Sequence, residues 1–148
     1  MLLGGVFAAR ETPQNLAGTL SPAKARHLAA DLARQADLAG VRLVMPDAHP
    51  RRTVEALRAT LATGCDPAVI HAFYRAYWAE GRAIEDPAVV RAIAGSADGA
   101  AHRADLRTRT EEAVSLGIFG APTYVVRDPD PMLWWGQDRA RFVEEALR

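Results

Sequence analysis

Residues 117–148 read GIFGAPTYVVRDPDPMLWWGQDRARFVEEALR, and the order of elements in this stretch decides the fold. PTYVV, from Pro122 to Val126, is rich in β-branched and aromatic residues and reads as a strand. RDPDP is a turn signal, and MLWW, from Met132 to Trp135, reads as a second short strand. A helix is expected from Asp138 to Leu147, with Phe142, Val143, Ala146 and Leu147 on one face. A proline that opens a strand cannot donate to the ladder. A cis peptide before Pro122 would turn the N–H and C=O of Ala121 to solvent, where an extended peptide ligand can pair with them. Asp138 comes after Gly136 and Gln137 at the mouth of the helix, where free amides attract a carboxylate and the acid can pair with an ammonium. The plainer reading is a strand-start proline and an N-cap worth about 1 kcal/mol.

Upstream the pattern is helical. Ser21 and Pro22 open SPAKARHLAADLARQADLAG as N-cap and first helical residue. Its apolar residues Ala25, Leu28, Ala29, Leu32 and Ala36 recur at three and four, and Gly40 ends it. VRLVMP is a short apolar run into a proline turn. RRTVEALRATLATG is a further helix. Asp66-Pro67 opens the next, with an expected stripe of Ile70, Phe73, Tyr74 and Tyr77, and Asp86-Pro87 opens a short one. A longer helix is expected from about Asp98 to Leu116. The chain thus reads as a small apolar piece, five helices, then strand, strand, helix.

Bulk properties narrow the function classes. A chain of 148 residues is long enough for a domain with a real core. Eighteen basic residues balance eighteen acidic ones, so nothing points to nucleic acid or an anionic membrane as partner. No apolar run is long enough to span a bilayer. A single cysteine, Cys65, forms no internal disulfide, which makes a reducing cytoplasm the expected location. Cys65 has no CxxC partner and reads as a small semi-buried residue. His27, His49, His71 and His102 lie far apart without metal-ligand spacing, so no metal site is expected. No serine sits in a GxSxG or SxxK setting, and no glycine-rich phosphate loop is present.

GIFGAPTYVV and MLWWGQDRARFVEEAL together resemble the C-terminal part of the family of 2-hydroxychromene-2-carboxylate isomerases and kappa-class glutathione transferases, relatives of the DsbA oxidoreductases. LLGGVF, ARQADLAGVRLVMPDAHPRRTVEALRA and FYRAYWAEGRAIEDPAVV resemble earlier family segments, so the likeness covers nearly the whole chain. It implies an α/β, thioredoxin-like core of the DsbA/kappa type formed by residues 1–15 and 117–148, with an all-helical insertion at 16–116. It implies glutathione as cofactor. Pro122 matches the family's cis-proline, Ala121 the residue whose backbone pairs with the cysteinyl part of glutathione, and Gln137 and Asp138 the positions holding its γ-glutamyl end. In ETPQNLAG neither Thr12 nor Asn15 matches the family's further glutathione contact. Trp134 and Trp135 should point to opposite faces of their strand, and one can line an apolar substrate pocket; one core and one surface tryptophan is the plainer reading.

The resemblance also implies a chain that starts after the family's first strand and catalytic helix, hence an N-terminally incomplete core with an open sheet edge and no catalytic residue of its own. A displaced start, a fragment and a truncated relative all fit that expectation. The activity implied is glutathione-dependent cis–trans isomerisation in the breakdown of an aromatic compound, with a small aromatic substrate and a homodimeric assembly. The alternatives are a DsbA-type thiol–disulfide oxidoreductase and a non-catalytic thioredoxin-like remnant that binds glutathione or a partner chain.

Overall fold

A computed structural model describes every residue except Asp128 and Pro129, and leaves the side chains of Leu16 and Ala17 undescribed. The turn expected at RDPDP therefore lies partly outside the described residues. The helices are α1 (Leu3–Ala9), α2 (Pro22–Leu38), α3 (Val54–Ala62), α4 (Pro67–Trp78), α5 (Pro87–Ala94), α6 (Arg103–Ser115) and α7 (Ala140–Ala146). The strands are β1 (Thr123–Arg127) and β2 (Pro131–Trp135). The apolar N-terminal piece, undecided between strand and helix by its length, is helix α1.

Local chemistry explains the helix starts. Ser21 Oγ accepts from Lys24 N at 3.4 Å ahead of Pro22. Asp66 Oδ1 accepts from Ala68 N and Asp86 Oδ1 from Ala88 N, both at 2.8 Å and both just before a proline. Each side chain satisfies one orphan amide where the proline has none to offer. Asp98 caps in the same way, but the turn it opens is a 3-10 turn, Gly99–His102, and α6 begins only after it. The single long helix expected there is two pieces.

Two compact units form, Met1–Gln14 with Arg107–Arg148, and Asn15–Leu106. In the second, Ala56 and Ala59 of α3 pack against Phe73, Ala76 and Tyr77 of α4 and against Ile84. Tyr77 Oη meets His49 Nδ1 at 2.8 Å and accepts from Arg51 N at 3.3 Å. Arg51 also donates to Glu85 at 2.7 Å. Burial alone would raise the Glu85 carboxyl, but the Arg51 hydrogen bond and charge outweigh it and hold the group below its usual value. Two sequence expectations fail in this unit. Tyr74 is 60% exposed, because α4 turns Ala76 and Trp78 inward in its place. The apolar stripe of α2 buries nothing, and Leu28 and Leu32 remain exposed.

In the first unit, Val6 of α1 is fully buried with Ala113 of α6 and Ile118. Met1, Leu3, Val125 and Leu133 pack around them. Leu2 N donates to Thr110 Oγ1 at 2.8 Å, and Arg10 donates to Val114 O at 2.6 Å, so both ends of α1 are tied to α6. β1 and β2 pair antiparallel with Val125 opposite Leu133 and Thr123 opposite Trp135. Among the described residues the sheet has only these two strands, leaving one edge of each without a ladder partner. The face expected on the last helix is half right. Phe142 and Val143 are half-buried, whereas Ala146 and Leu147 are exposed.

Candidate functional site

The hairpin brings together residues that the sequence separates. Pairing Thr123 with Trp135 sets Pro122 beside Gly136, and Pro122 O accepts from Gly136 N at 3.0 Å. Ala121-Pro122 and Gln137-Asp138 therefore end up at the same end of the sheet. The peptide between Ala121 and Pro122 is cis, as is that between His49 and Pro50. Ala121 is exposed, and among the described residues its N–H and C=O have no hydrogen-bond partner. Thr123 Oγ1 donates to Gly120 O at 2.8 Å, which fixes the turn into the strand.

Across from it, Gly136 adopts φ 120°, a region L side chains rarely enter, and an added Cβ would lie 2.7 Å from Asp138 Oδ1. Only glycine lets the chain turn from β2 into the 3-10 turn Gln137–Arg139 with the acid folded back over it. Asp138 does not cap that turn, nor α7. Its carboxylate pairs with Arg139 instead, and the side chain stays 61% exposed. The capping explanation of this acid fails, because the chain enters α7 through Arg139 rather than Asp138. The Gln137 side chain is exposed and without a partner among the described residues. The site presents an unpaired peptide group, a free amide and an exposed carboxylate–guanidinium pair.

The two tryptophans separate as alternation requires. Trp134 lies opposite Tyr124 on one face, half-buried. Trp135 lies on the face of Leu133 and Val125, next to Ala121-Pro122, and is 53% exposed. Its indole packs against Phe119 with ring centroids 5.2 Å apart. Gly120 makes room for it, since a Cβ there would stand 2.5 Å from the indole nitrogen. Sequence reading missed two participants, Phe119 and Arg139. Phe119 was legible only as an aromatic flanking a glycine, and Arg139 only as the residue after an acid.

Cys65 falls elsewhere. It is exposed rather than semi-buried, in the turn between α3 and α4, where it adopts a positive φ of 59°. Among the described residues no group of three or more potential metal ligands occurs, and no helix is long and apolar enough to cross a membrane.

A strand entered through cis-proline, its antiparallel neighbour, a closing helix and a preceding helical unit define a thioredoxin-like α/β protein with a helical insertion. A family model described as a DSBA-like thioredoxin domain matches residues 4–148, and the chain belongs to that family. Among solved structures it is similar to a 2-hydroxychromene-2-carboxylate isomerase, with 27% sequence identity and a TM-score of 0.67. That likeness covers 98% of this chain and 75% of the other. No curated protein sequence matches the chain.

Proposed function

We propose that the chain is a glutathione-dependent isomerase of the 2-hydroxychromene-2-carboxylate isomerase kind, acting on an unsaturated aromatic carboxylate; glutathione itself is the reacting thiol, so the reading calls on no catalytic side chain of the protein. The observation that carries the proposal is the convergence of Ala121-Pro122 with Gln137-Asp138 through the bond between Pro122 O and Gly136 N. Each part matches a part of the tripeptide. The exposed peptide groups of Ala121 can pair with the backbone of the cysteinyl residue, as an added strand does. Asp138 can take the γ-glutamyl ammonium, while Gln137 and Arg139 can take its carboxylate. Trp135 and Phe119 give the same end an apolar wall for a ring.

The chemistry requires no net change in composition. The bound thiolate adds to the conjugated double bond, lowering its order; the resulting single bond rotates; the thiolate is expelled and the double bond re-forms. Holding thiol and substrate in one orientation supplies much of the acceleration. A thiol–disulfide exchange reading draws no support from this chain's one cysteine, which lies in the helical unit.

The test is the ultraviolet absorbance change of 2-hydroxychromene-2-carboxylate mixed with the purified protein. Isomerisation that occurs only with reduced glutathione, and falls in a Trp135→Ala variant, supports the reading. Turnover independent of glutathione refutes the cofactor, and no acceleration in its presence refutes the activity.

A further inference from the structure

We infer a second, separate binding site for an aromatic monocarboxylate in the helical unit, in a pocket between α2 and α4 that the proposed isomerase chemistry does not use. The pocket encloses about 720 Å³, within the range of about 300–1,000 Å³ typical of small-molecule sites. Its walls are apolar: Leu32 of α2, Val41 and Leu43 of the connecting segment, and Tyr74 and Trp78 of α4. Three of these, Leu32, Val41 and Tyr74, are 41%, 56% and 60% exposed. Apolar side chains of this size left open together around one concavity are the mark of a site rather than of scattered surface.

The floor is preformed. Trp78 packs edge-on to Tyr77 at 4.7 Å and against the His49 ring at 5.2 Å. Tyr77 is in turn fixed by His49 and Arg51 N. An aromatic ring entering the pocket meets a tryptophan that need not reorder to receive it.

Charge selects the ligand. The polar side chains lining the pocket are Arg42, His71 and Arg75, and no carboxylate is among the lining residues. Among the described residues none of the three is ion-paired. Glu80, just beyond the pocket, pairs with Arg82 at 3.6 Å instead. In a chain whose basic and acidic residues are equal in number, two free guanidiniums facing an acid-free apolar pocket are a local excess of positive charge. A guanidinium takes a carboxylate in bidentate fashion. An apolar ring with one carboxylate uses both the walls and the cations; a neutral aromatic compound uses only the walls.

The test monitors the assigned indole N–H resonances of the full chain during titration with 1-naphthoate and, separately, with neutral 1-naphthalenemethanol. Trp78 reports on this pocket, and Trp134 and Trp135 on the hairpin. The expected result is a saturable shift of Trp78 with naphthoate at an affinity about tenfold above that for the alcohol. The double variant Arg42→Gln/Arg75→Gln should lose about tenfold in naphthoate affinity and leave the alcohol unchanged. Equal binding of both compounds, an undiminished naphthoate response in the double variant, or shifts confined to Trp134 and Trp135 would overturn the assignment. So would a concentration-dependent dimer in sedimentation that shifts Trp78 by itself and excludes naphthoate, which would give the face to a second copy. None of these outcomes depends on glutathione, so the inference fails or survives apart from the proposed isomerase activity.

Discussion

Replacing Tyr77 by Phe removes one oxygen from the helical unit and leaves its packing in place. The ring is 6% exposed and keeps its edge-on contact with Trp78. Two partners lose the hydroxyl, Arg51 N at 3.3 Å and His49 Nδ1 at 2.8 Å. A hydrogen bond of this kind contributes about 0.5–1.5 kcal/mol net. His49 is exposed, so water replaces part of its loss, whereas the half-buried Arg51 amide is less easily compensated. The expected cost is therefore about 1–2 kcal/mol for Tyr77→Phe. Tyr77→Ala also opens a cavity beside Phe73, Ala59 and Ala76 and should cost about 3–5 kcal/mol. Urea unfolding monitored by far-ultraviolet circular dichroism reads both as midpoint shifts, with unchanged slope for the conservative variant. A Tyr77→Phe protein within about 0.3 kcal/mol of the parent would refute the claim that the hydroxyl ties the His49–Arg51 segment to α4.

Gly120→Ala should push the Trp135 indole off Phe119, because the new methyl occupies the indole's place and the half-exposed ring is free to swing out. The cost should be about 0.5–1.5 kcal/mol, with a changed Trp135 indole N–H resonance, and an unmoved resonance would contradict the close approach. Glu85→Gln should remove a pH-dependent increment of stability. The carboxyl is depressed in the folded protein, so its contribution is complete above the ordinary carboxylate value and is lost as pH falls through the folded one. At neutral pH the variant should be about 0.5–1 kcal/mol less stable, the difference closing as the pH falls through the depressed folded value. The figure is kept small because the side chain is one-third exposed and because Arg51 Nε and Glu85 Oε2 stay without partners among the described residues. Parallel acid-unfolding curves of parent and variant would count against the Arg51–Glu85 pair.

The hairpin and the helix starts were legible because their signals are local. Ser21-Pro22, Asp66-Pro67 and Asp86-Pro87 each carry a cap and a residue that needs none, and all three open helices. PTYVV and MLWW became strands within a residue of the expected ends. Periodicity was a weaker guide. It marks which residues could share a face and says nothing of whether a neighbour covers that face, hence the solvent-facing stripe of α2 and the outward Tyr74. At the site, Pro122 and Asp138 could be singled out from composition and place. Their proximity depends on the register that sets Thr123 opposite Trp135, which two short runs and a turn do not specify. The same holds for the Asp138–Arg139 pair, since adjacency in sequence gave no reason to prefer it over a cap.

One glutathione site built from Ala121-Pro122 and Gln137-Asp138 is the claim on which the proposed activity rests. Titration calorimetry of the full chain with reduced glutathione, repeated with Asp138→Asn, tests it most directly. Saturable binding to the parent is expected, with an affinity about tenfold lower in the variant. That variant should unfold as the parent does, since Asp138 is exposed and caps no helix. An absence of heat with the parent, or the same affinity in both proteins, would contradict the claim.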